Sequence, residues 1–221
     1  MPIILHIDTA VETASVALSD NAELVKLAAN DNQYDHAAWL HKTIQSLLRD
    51  AGMAVRDINA VAVSIGPGSY TGLRVGLSAA KGLCYALDIP LITIGTLEIM
   101  ATAVKNKETD LICPLIDARR MEVFTAVYDK FLTEINNPCA MVINEHSFSE
   151  LLAANRMVFC GNGSQKLKTV FLNRKNAIFT DDKASAADMC PIAYRHFMEK
   201  KFSDIAYTEP LYIKEFFSTL R

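Results

Sequence analysis

The chain has 221 residues, of which 51% are hydrophobic and 21% charged, and this excludes an intrinsically disordered protein because disordered chains combine low hydrophobicity with high net charge. Its 22 basic and 25 acidic residues leave a formal charge of −3, which excludes a protein whose main task is to grip nucleic acid through its own positive field. The length allows one large domain or two small ones.

The chain begins with a pattern that is typical of strands. Residues 3–7 and 14–18 are apolar runs separated by a polar turn, and residues 24–28 form a third run after another turn. Short turns of this kind join antiparallel strands. Residues 35–51 then carry apolar side chains three and four positions apart, which predicts a helix with one face in the core.

A strand, a helix and another strand follow. Residues 60–65 and 91–94 predict short buried strands, and the segment between them opens with a turn and continues as a helix to about Leu87. The residues that define this turn and the start of the helix are Gly66, Gly68, Ser69, Thr71, Gly72 and Arg74.

The position of this turn, between a strand and the N-terminus of a helix, is that of phosphate-binding loops. The turn lacks the Lys-Ser/Thr pair of a P-loop, and Thr71 replaces the third glycine of the dinucleotide-binding pattern. We therefore expect a tight turn that needs glycine for its backbone conformation, with Ser69 or Thr71 as the helix cap.

After a charged link the pattern starts again. When Ile7-Asp8 is placed over Ile116-Asp117, Asp20 falls on Asp129. In both copies an apolar strand ends in aspartate, a polar turn follows, and a second strand ends in aspartate. This repetition predicts a duplicated strand–turn–strand unit.

The duplication predicts two lobes, residues 1–104 and residues 105–221, the second ending with a helix over about 186–200. The second lobe also has a local excess of basic residues, which we interpret as a solvated face in preference to an RNA-binding patch. These residues are Lys166, Lys168, Arg174 and Lys175.

Asp8 and Thr9 follow the first strand, and Asp117 is the equivalent of Asp8 in the second copy. Two interpretations are open. Actin-like phosphotransferases place one carboxylate from each lobe around a metal-bound phosphate, so the three residues could form a nucleotide site. Equally, Asp8 could cap its own turn through backbone N–H groups.

The two helices of the first lobe carry patterns that predict a partner-binding surface. The second has a stripe of small residues beside a bulkier core stripe, and a small stripe lets another helix approach closely. The first carries the only tryptophan on a polar flank. The predicted interface residues are His36, Trp39, Thr43, Gly72, Val75, Ala79, Gly82 and Ala86.

Five widely spaced cysteines include no Cys-x-x-C pair and no histidine at zinc-ligand spacing, so we expect free thiols and no metal site. Asp8 interrupts the only N-terminal apolar run, and no apolar stretch of about 18 residues is present. We expect a cytoplasmic protein without a membrane segment.

Several motifs together resemble the TsaB (YeaZ) family. They are the strand followed by Asp8-Thr9, the segment from Gly66 to Arg74, Ile116-Asp117-Ala118-Arg119, and Glu209-Pro210-Leu211-Tyr212-Ile213 near the end. The resemblance covers most of the chain and is weakest over about 130–180. It implies an α/β, actin-like (ASKHA, ribonuclease H-like) fold of two lobes with a reduced second lobe.

The resemblance also implies a non-catalytic subunit that supports the catalytic relative TsaD, with the ATPase TsaE, in transferring threonylcarbamoyl to N6 of adenosine 37. The substrates are tRNAs that read codons beginning with A. TsaD-type subunits carry a metal-binding His-x-x-x-His where this chain has Thr96 to Met100. In the family the two helices bind TsaD, or a second copy when TsaD is missing, and tRNA is reached only through the complex.

No cofactor is implied beyond weak binding of ATP or ADP at a vestigial site formed by Asp8, Thr9 and Asp117. The alternative is an enzyme, either an actin-like ATPase or kinase or a metallopeptidase, that uses Asp8 and Asp117.

Overall fold

The structure is a computed structural model that describes residues 1–30, 36–171 and 174–214. Within these ranges the chain forms ten strands and six α-helices. The strands are β1 (Ile3–Asp8), β2 (Ala14–Asp20), β3 (Glu23–Asn30), β4 (Ala60–Ser64), β5 (Leu91–Ile94), β6 (Leu111–Asp117), β7 (Glu122–Asp129), β8 (Glu134–Val142), β9 (Met157–Cys160) and β10 (Ala177–Phe179). The helices are α1 (His36–Asp50), α2 (Tyr70–Leu87), α3 (Thr96–Ala103), α4 (Ser149–Ala154), α5 (Ser164–Val170) and α6 (Cys190–Met198), with short 3-10 helices at Val55–Asp57 and Ala186–Met189.

The strands form two sheets with the same topology. The first has the order β3-β2-β1-β4-β5 and the second the order β8-β7-β6-β9-β10. In each sheet the first three strands are antiparallel and the last two run parallel to the first. This duplicated mixed sheet with covering helices confirms the predicted α/β, actin-like fold.

The predicted duplication aligns the strand ends. β1 ends at Asp8 and β6 at Asp117, while β2 ends at Asp20 and β7 at Asp129. The four aspartates that the offset superimposes are therefore the last residues of equivalent strands. A strand-terminal aspartate accepts hydrogen bonds from the turn that follows, which explains why the residue type recurs at these points.

The second lobe is reduced, as predicted. Helices α1 and α2 have 15 and 18 residues, whereas their equivalents α4 and α5 have 6 and 7. The short helices still bury an aromatic core, in which the ring of Phe159 contacts those of Phe148, Phe171 and Phe179.

Helices α1 and α2 cover one face of the first sheet. Leu40, Ile44 and Leu47 of α1 are buried, as the helical spacing predicts. Leu73 and Cys84 of α2 are buried as well. Both helices therefore use their bulkier stripe to pack on the sheet and leave another side outward.

Helices α6 and α3 connect the two halves of the chain. Ile192 and Ala193 of α6 pack with Ile4 and Ile92 of the first sheet, so the predicted terminal helix exists but packs on the first lobe. The apolar side chains of α6 fit the face of the first sheet that α1 and α2 leave open. The division at residues 104 and 105 stays a prediction.

The sequence did not reveal α3, because six of its eight residues are buried and Glu98 is its only charged residue. Leu97 and Met100 pack against the second sheet, while Ile99 packs against the first. A helix buried on both sides shows no helical alternation of polar and apolar residues.

Candidate functional site

Asp8 lies at the carboxyl end of β1 and is 1% exposed. Its Oδ1 accepts hydrogen bonds from Ser64 Oγ at 2.7 Å and from the backbone N–H of Ala10 at 3.1 Å. Burial raises the pKa of the Asp8 carboxyl above its usual value, the two hydrogen bonds oppose the shift, and the charge of Asp188 adds to it. The contact with Ala10 is the turn-capping contact that the sequence allowed.

Thr9 joins this strand end to α2. Its hydroxyl donates to the carbonyl oxygen of Gly72 at 2.7 Å. A Cβ atom on Gly72 would lie 2.0 Å from the carbonyl oxygen of Thr9, and one on Gly68 would lie 2.2 Å from that of Ala10. The glycine-rich turn therefore packs its backbone directly on the turn after β1.

The start of α2 is fixed by a cap that the sequence predicted. Ser69 Oγ accepts a hydrogen bond from the N–H of Gly72 at 3.2 Å, and the N–H of Ser69 donates to Ala10 O at 2.7 Å. Thr71, the other candidate cap, lies in the first turn of the helix and is exposed. Arg74 stacks its guanidinium 4.0 Å from the centre of the Tyr70 ring.

Asp117 has the opposite environment to Asp8. Its side chain is 41% exposed and pairs with Lys166 Nζ at 2.8 Å, while the N–H of Arg119 donates to the same carboxylate at 2.6 Å. Partial burial raises the pKa of Asp117, but the hydrogen bonds and the charge of Lys166 outweigh it, so the pKa lies below its usual value. Asn162 links the lobes by accepting from the Asp117 N–H and donating to Glu12.

The two aspartates therefore occupy equivalent strand ends with different chemistry. Asp8 is buried from solvent and hydrogen-bonded within its own lobe, whereas the charge of Asp117 is balanced by Lys166. Among the described residues no group of three or more His, Cys, Asp or Glu side chains is placed to hold a metal ion.

Three of the four basic residues predicted to form a solvated face contact other side chains of the protein, whereas Lys175 is exposed. Lys166 is 15% exposed in its pair with Asp117, and Lys168 pairs with Asp181 at 3.0 Å. Arg174 stacks 4.7 Å from the centre of the Phe171 ring. The solvated-face interpretation is therefore wrong for Lys166, because this side chain fills the space between Asp117 and the backbone of β7.

We expect Ser64→Ala to lower the free energy of unfolding at pH 7 by about 2 kcal/mol, because it removes a donor from a buried carboxylate. The loss should shrink in acid, where Asp8 is protonated and needs the donor less. Urea unfolding at pH 7 and pH 4 measures the difference. An equal loss at both pH values would contradict a charged, Ser64-dependent Asp8 at neutral pH.

The predicted interface residues on α2 differ in accessibility. Gly72 is buried against Thr9. Ala79 is 8% exposed and belongs to the first core, the apolar cluster between the first sheet and helices α1 and α2, whereas Val75 is half-buried. Gly82 and Ala86 are exposed, and outside the neighbouring helix backbone no described residue has an atom within 4 Å of a Cβ atom built on Gly82. Only the C-terminal half of the stripe is therefore open to a partner.

The described interface residues predicted on α1 are partly covered by the protein itself. Trp39 is half-buried and packs against the first core, and Thr43 is half-buried as well. The side chain of His36 lies outside the described part of the chain.

A cleft of about 620 Å³ opens between α1 and α2, on the flank of α1 opposite Trp39. Its apolar side chains and polar rim are typical of a site that accepts an anchor residue. The lining residues are His41, Ile44, Gln45, Leu48, Arg49, Met53, Val55 and Leu83. The sequence missed this cleft, and the signal available was the pair of apolar residues Met53 and Val55 just after α1.

None of the described helices has the length and apolar character that crossing a membrane requires.

Comparison with known proteins gives matches along nearly the whole chain. The family model described as "TsaD: tRNA N6-adenosine threonylcarbamoyltransferase" matches residues 30–210. The tRNA threonylcarbamoyladenosine biosynthesis protein TsaB of Escherichia coli is 32% identical over 96% of this chain and 94% of that protein. The protein of the same name from Bacillus subtilis is 37% identical over 57% of this chain and 54% of its own length.

A solved structure described as YeaZ from Pseudomonas aeruginosa superimposes with a TM-score of 0.84 at 24% identity, covering 96% of this chain and all of that one. At this identity the superposition establishes the shared fold. The sequence matches and the two-lobed topology lead to one conclusion: the chain belongs to the TsaB (YeaZ) family.

Proposed function

We propose that this chain is a non-catalytic subunit of the tRNA N6-adenosine threonylcarbamoyltransferase complex, which binds TsaD through α1 and α2 and acts together with TsaE. The observation that carries the proposal is the outward side of the helix pair. Exposed Gly82 and Ala86 lie on a helix whose core stripe is fixed on the first sheet, beside the 620 Å³ cleft. A rigid platform with a small-residue stripe favours docking of another helix.

The name of the relatives supports the pathway. The E. coli and B. subtilis proteins are named for tRNA threonylcarbamoyladenosine biosynthesis. We place this chain in the same process, in the cytoplasm, with tRNA reached through the complex and a homodimer forming when TsaD is missing. The formal charge of −3 agrees with a subunit that leaves RNA contact to its partners.

The packing at the end of β1 supports a role other than catalysis. In a nucleotide site the glycine-rich turn would point free N–H groups at a phosphate. Here the N–H of Ser69 donates to Ala10 O, and the N–H of Gly72 donates to the Ser69 side chain. These donors are already used within the protein.

The second candidate is an actin-like ATPase or kinase, or a metallopeptidase, that uses Asp8 and Asp117. Their equivalent positions at the ends of β1 and β6 favour it. Calorimetric titration with Mg-ATP separates the two candidates. Micromolar binding that is lost in Asp8→Ala would overturn the non-catalytic proposal.

We expect Gly82→Arg to weaken binding to TsaD of the same organism by at least tenfold, because a long charged side chain would stand in the open part of the stripe. Size-exclusion chromatography and calorimetry of the purified pair measure the change. Ala79→Arg is unsuitable for this test, because Ala79 is 8% exposed and the arginine would disrupt the core.

The matched control is Asn137→Arg, which adds the same charge at an exposed position of β8 in the second lobe. Circular dichroism should show both variants folded. If folded Gly82→Arg binds TsaD with wild-type affinity, the proposal that α2 belongs to the interface is wrong.

A further inference from the structure

The last part of the described chain, residues 203–214, forms a strap along the first lobe. It starts at the edge of the first sheet, where the N–H of Ser203 donates to Leu91 O at 2.8 Å and the hydroxyls of Ser203 and Thr93 lie 2.8 Å apart. Ile205 packs against the first core. The strap is therefore anchored on the sheet before it reaches the glycine-rich turn.

At the turn the strap makes backbone contact. The N–H of Leu211 donates to Ile65 O at 2.6 Å. Gly66 has a φ of +115°, and a Cβ atom there would lie 2.7 Å from the carbonyl oxygen of Leu211. Glycine at this position is thus required by the backbone conformation and by the proximity of the strap.

One residue further on, the strap contacts the start of α2. The ring centres of Tyr212 and Tyr70 lie 5.4 Å apart, and Arg74 Nε donates to the Tyr212 hydroxyl at 3.0 Å. Tyr70 and Arg74 both belong to the first turns of α2, so the strap is tied to this helix by a ring contact and a hydrogen bond.

The strap then crosses to the second lobe. Lys214 forms an ion pair with the side chain of Glu122, the first residue of β7. The carbonyl oxygen of Glu122 accepts from Lys166 Nζ at 2.7 Å, and the same ammonium holds Asp117. A continuous set of contacts therefore runs from α2 through the strap to the turn between β6 and β7.

We propose that the strap acts as a clasp that holds the two lobes together. Tyr212 binds α2 through its ring and hydroxyl, and Lys214 binds the β6–β7 hairpin through its ion pair with Glu122. With the clasp closed, the turn between β6 and β7 and the Asp117–Lys166 pair are connected to α2 through the strap. Release at either residue loosens the turn between β6 and β7, while the strands themselves stay paired in the second sheet. The consequence for partner binding, that docking on α2 senses the state of the clasp, rests on the proposed function.

Hydrogen–deuterium exchange of the whole chain without a partner tests the clasp itself. In Lys214→Met we expect about threefold faster exchange in peptides that cover residues 118–123, since a half-exposed ion pair contributes modestly. In Tyr212→Ala we expect at least a threefold increase both there and in residues 70–74. The double variant Lys214→Glu with Glu122→Lys re-forms the ion pair with exchanged charges, so exchange in residues 118–123 should return to the wild-type rate.

The matched control is Tyr207→Ala, which removes an 85% exposed ring from the same strap. It should leave exchange in both regions unchanged. Unchanged exchange at 118–123 in both Lys214→Met and Tyr212→Ala, or an equal increase in Tyr207→Ala, would overturn the clasp. Because no partner is present, these outcomes do not depend on whether the chain binds TsaD.

Discussion

Replacing Gly72 by alanine is expected to lower the free energy of unfolding by about 3 kcal/mol, because the new methyl group would meet backbone. A Cβ atom there would lie 2.0 Å from the carbonyl oxygen of Thr9. That oxygen belongs to the turn after β1 and cannot rotate away as a side chain can. Relief would require α2 to move off the sheet, with loss of the Thr9–Gly72 hydrogen bond.

Gly82→Ala is the matched control, since it makes the same change on the same helix. Among the described residues, nothing beyond the adjacent helix backbone lies within 4 Å of its Cβ position, so the substitution should raise the free energy of unfolding by about 0.5 to 1 kcal/mol through helix propensity. Urea unfolding of both variants gives the comparison. Similar stabilities for the two variants would show that α2 does not press on the turn after β1.

In the glycine-rich turn, the sequence predicts that glycine is required but gives the correct reason at only one of three positions. The pattern predicted glycines chosen for backbone conformation, and this is right for Gly66, whose φ is +115°. Gly68 and Gly72 are required for another reason, the close approach of the turn after β1. The sequence alone cannot distinguish these two reasons for a glycine, because the backbone that Gly68 and Gly72 approach lies about 60 residues earlier in the chain.

The elements that carry a periodic pattern were predictable. The strand ends at Asp8 and Asp117, and the extents of α1 and α2, follow from apolar spacing and from the duplication. What could not be predicted depends on contacts between the lobes. Both sheets pack against α3, so six of its eight residues are buried. Lys166 is held by Asp117, which lies 49 positions earlier in the chain.

The candidate interface could be predicted only in part, because contacts with distant parts of the chain decide which of its residues are exposed. A stripe of small residues identifies a side of α2, but the sequence cannot show how much of it the protein itself covers. Thr9 occupies the stripe at Gly72, and the first core takes Ala79. The cleft beside Gly82 needs residues from two helices and the loop after α1, so helical periodicity alone could not locate it.

Acidification is expected to destabilise the protein through His6, a fully buried residue of β1. The Ser19 hydroxyl donates to Asn21 O, so His6 Nε2 donates to Ser19 Oγ at 2.8 Å. His6 Nδ1 is buried and has no hydrogen-bond partner among the described residues. Protonation would place an uncompensated charge there, and burial accordingly lowers the pKa of His6 from 6.5 to about 3.

The sign follows from linkage. Between pH 6.5 and pH 3 the unfolded chain binds a proton that the folded chain does not, so the stability that neutral His6 allows is complete above pH 6.5 and lost as the pH falls. The loss is about 1.4 kcal/mol per pH unit at first, which gives about 2 kcal/mol at pH 5 and about 4 kcal/mol at pH 3, where the folded chain also begins to bind the proton. Buried His196, whose pKa is also lowered, adds in the same direction.

Comparison of the wild type with His6→Gln isolates this effect, because Gln can keep a donor near Ser19 and does not titrate. The variant should be less stable at pH 7, and its unfolding free energy should fall less steeply with acid, so that the two curves converge toward pH 4. His41→Gln, at an exposed position on α1, should retain the wild-type slope. Parallel curves for wild type and His6→Gln would mean that the folded protein admits a proton at His6, and that the face of the first sheet under α6 opens in acid without unfolding.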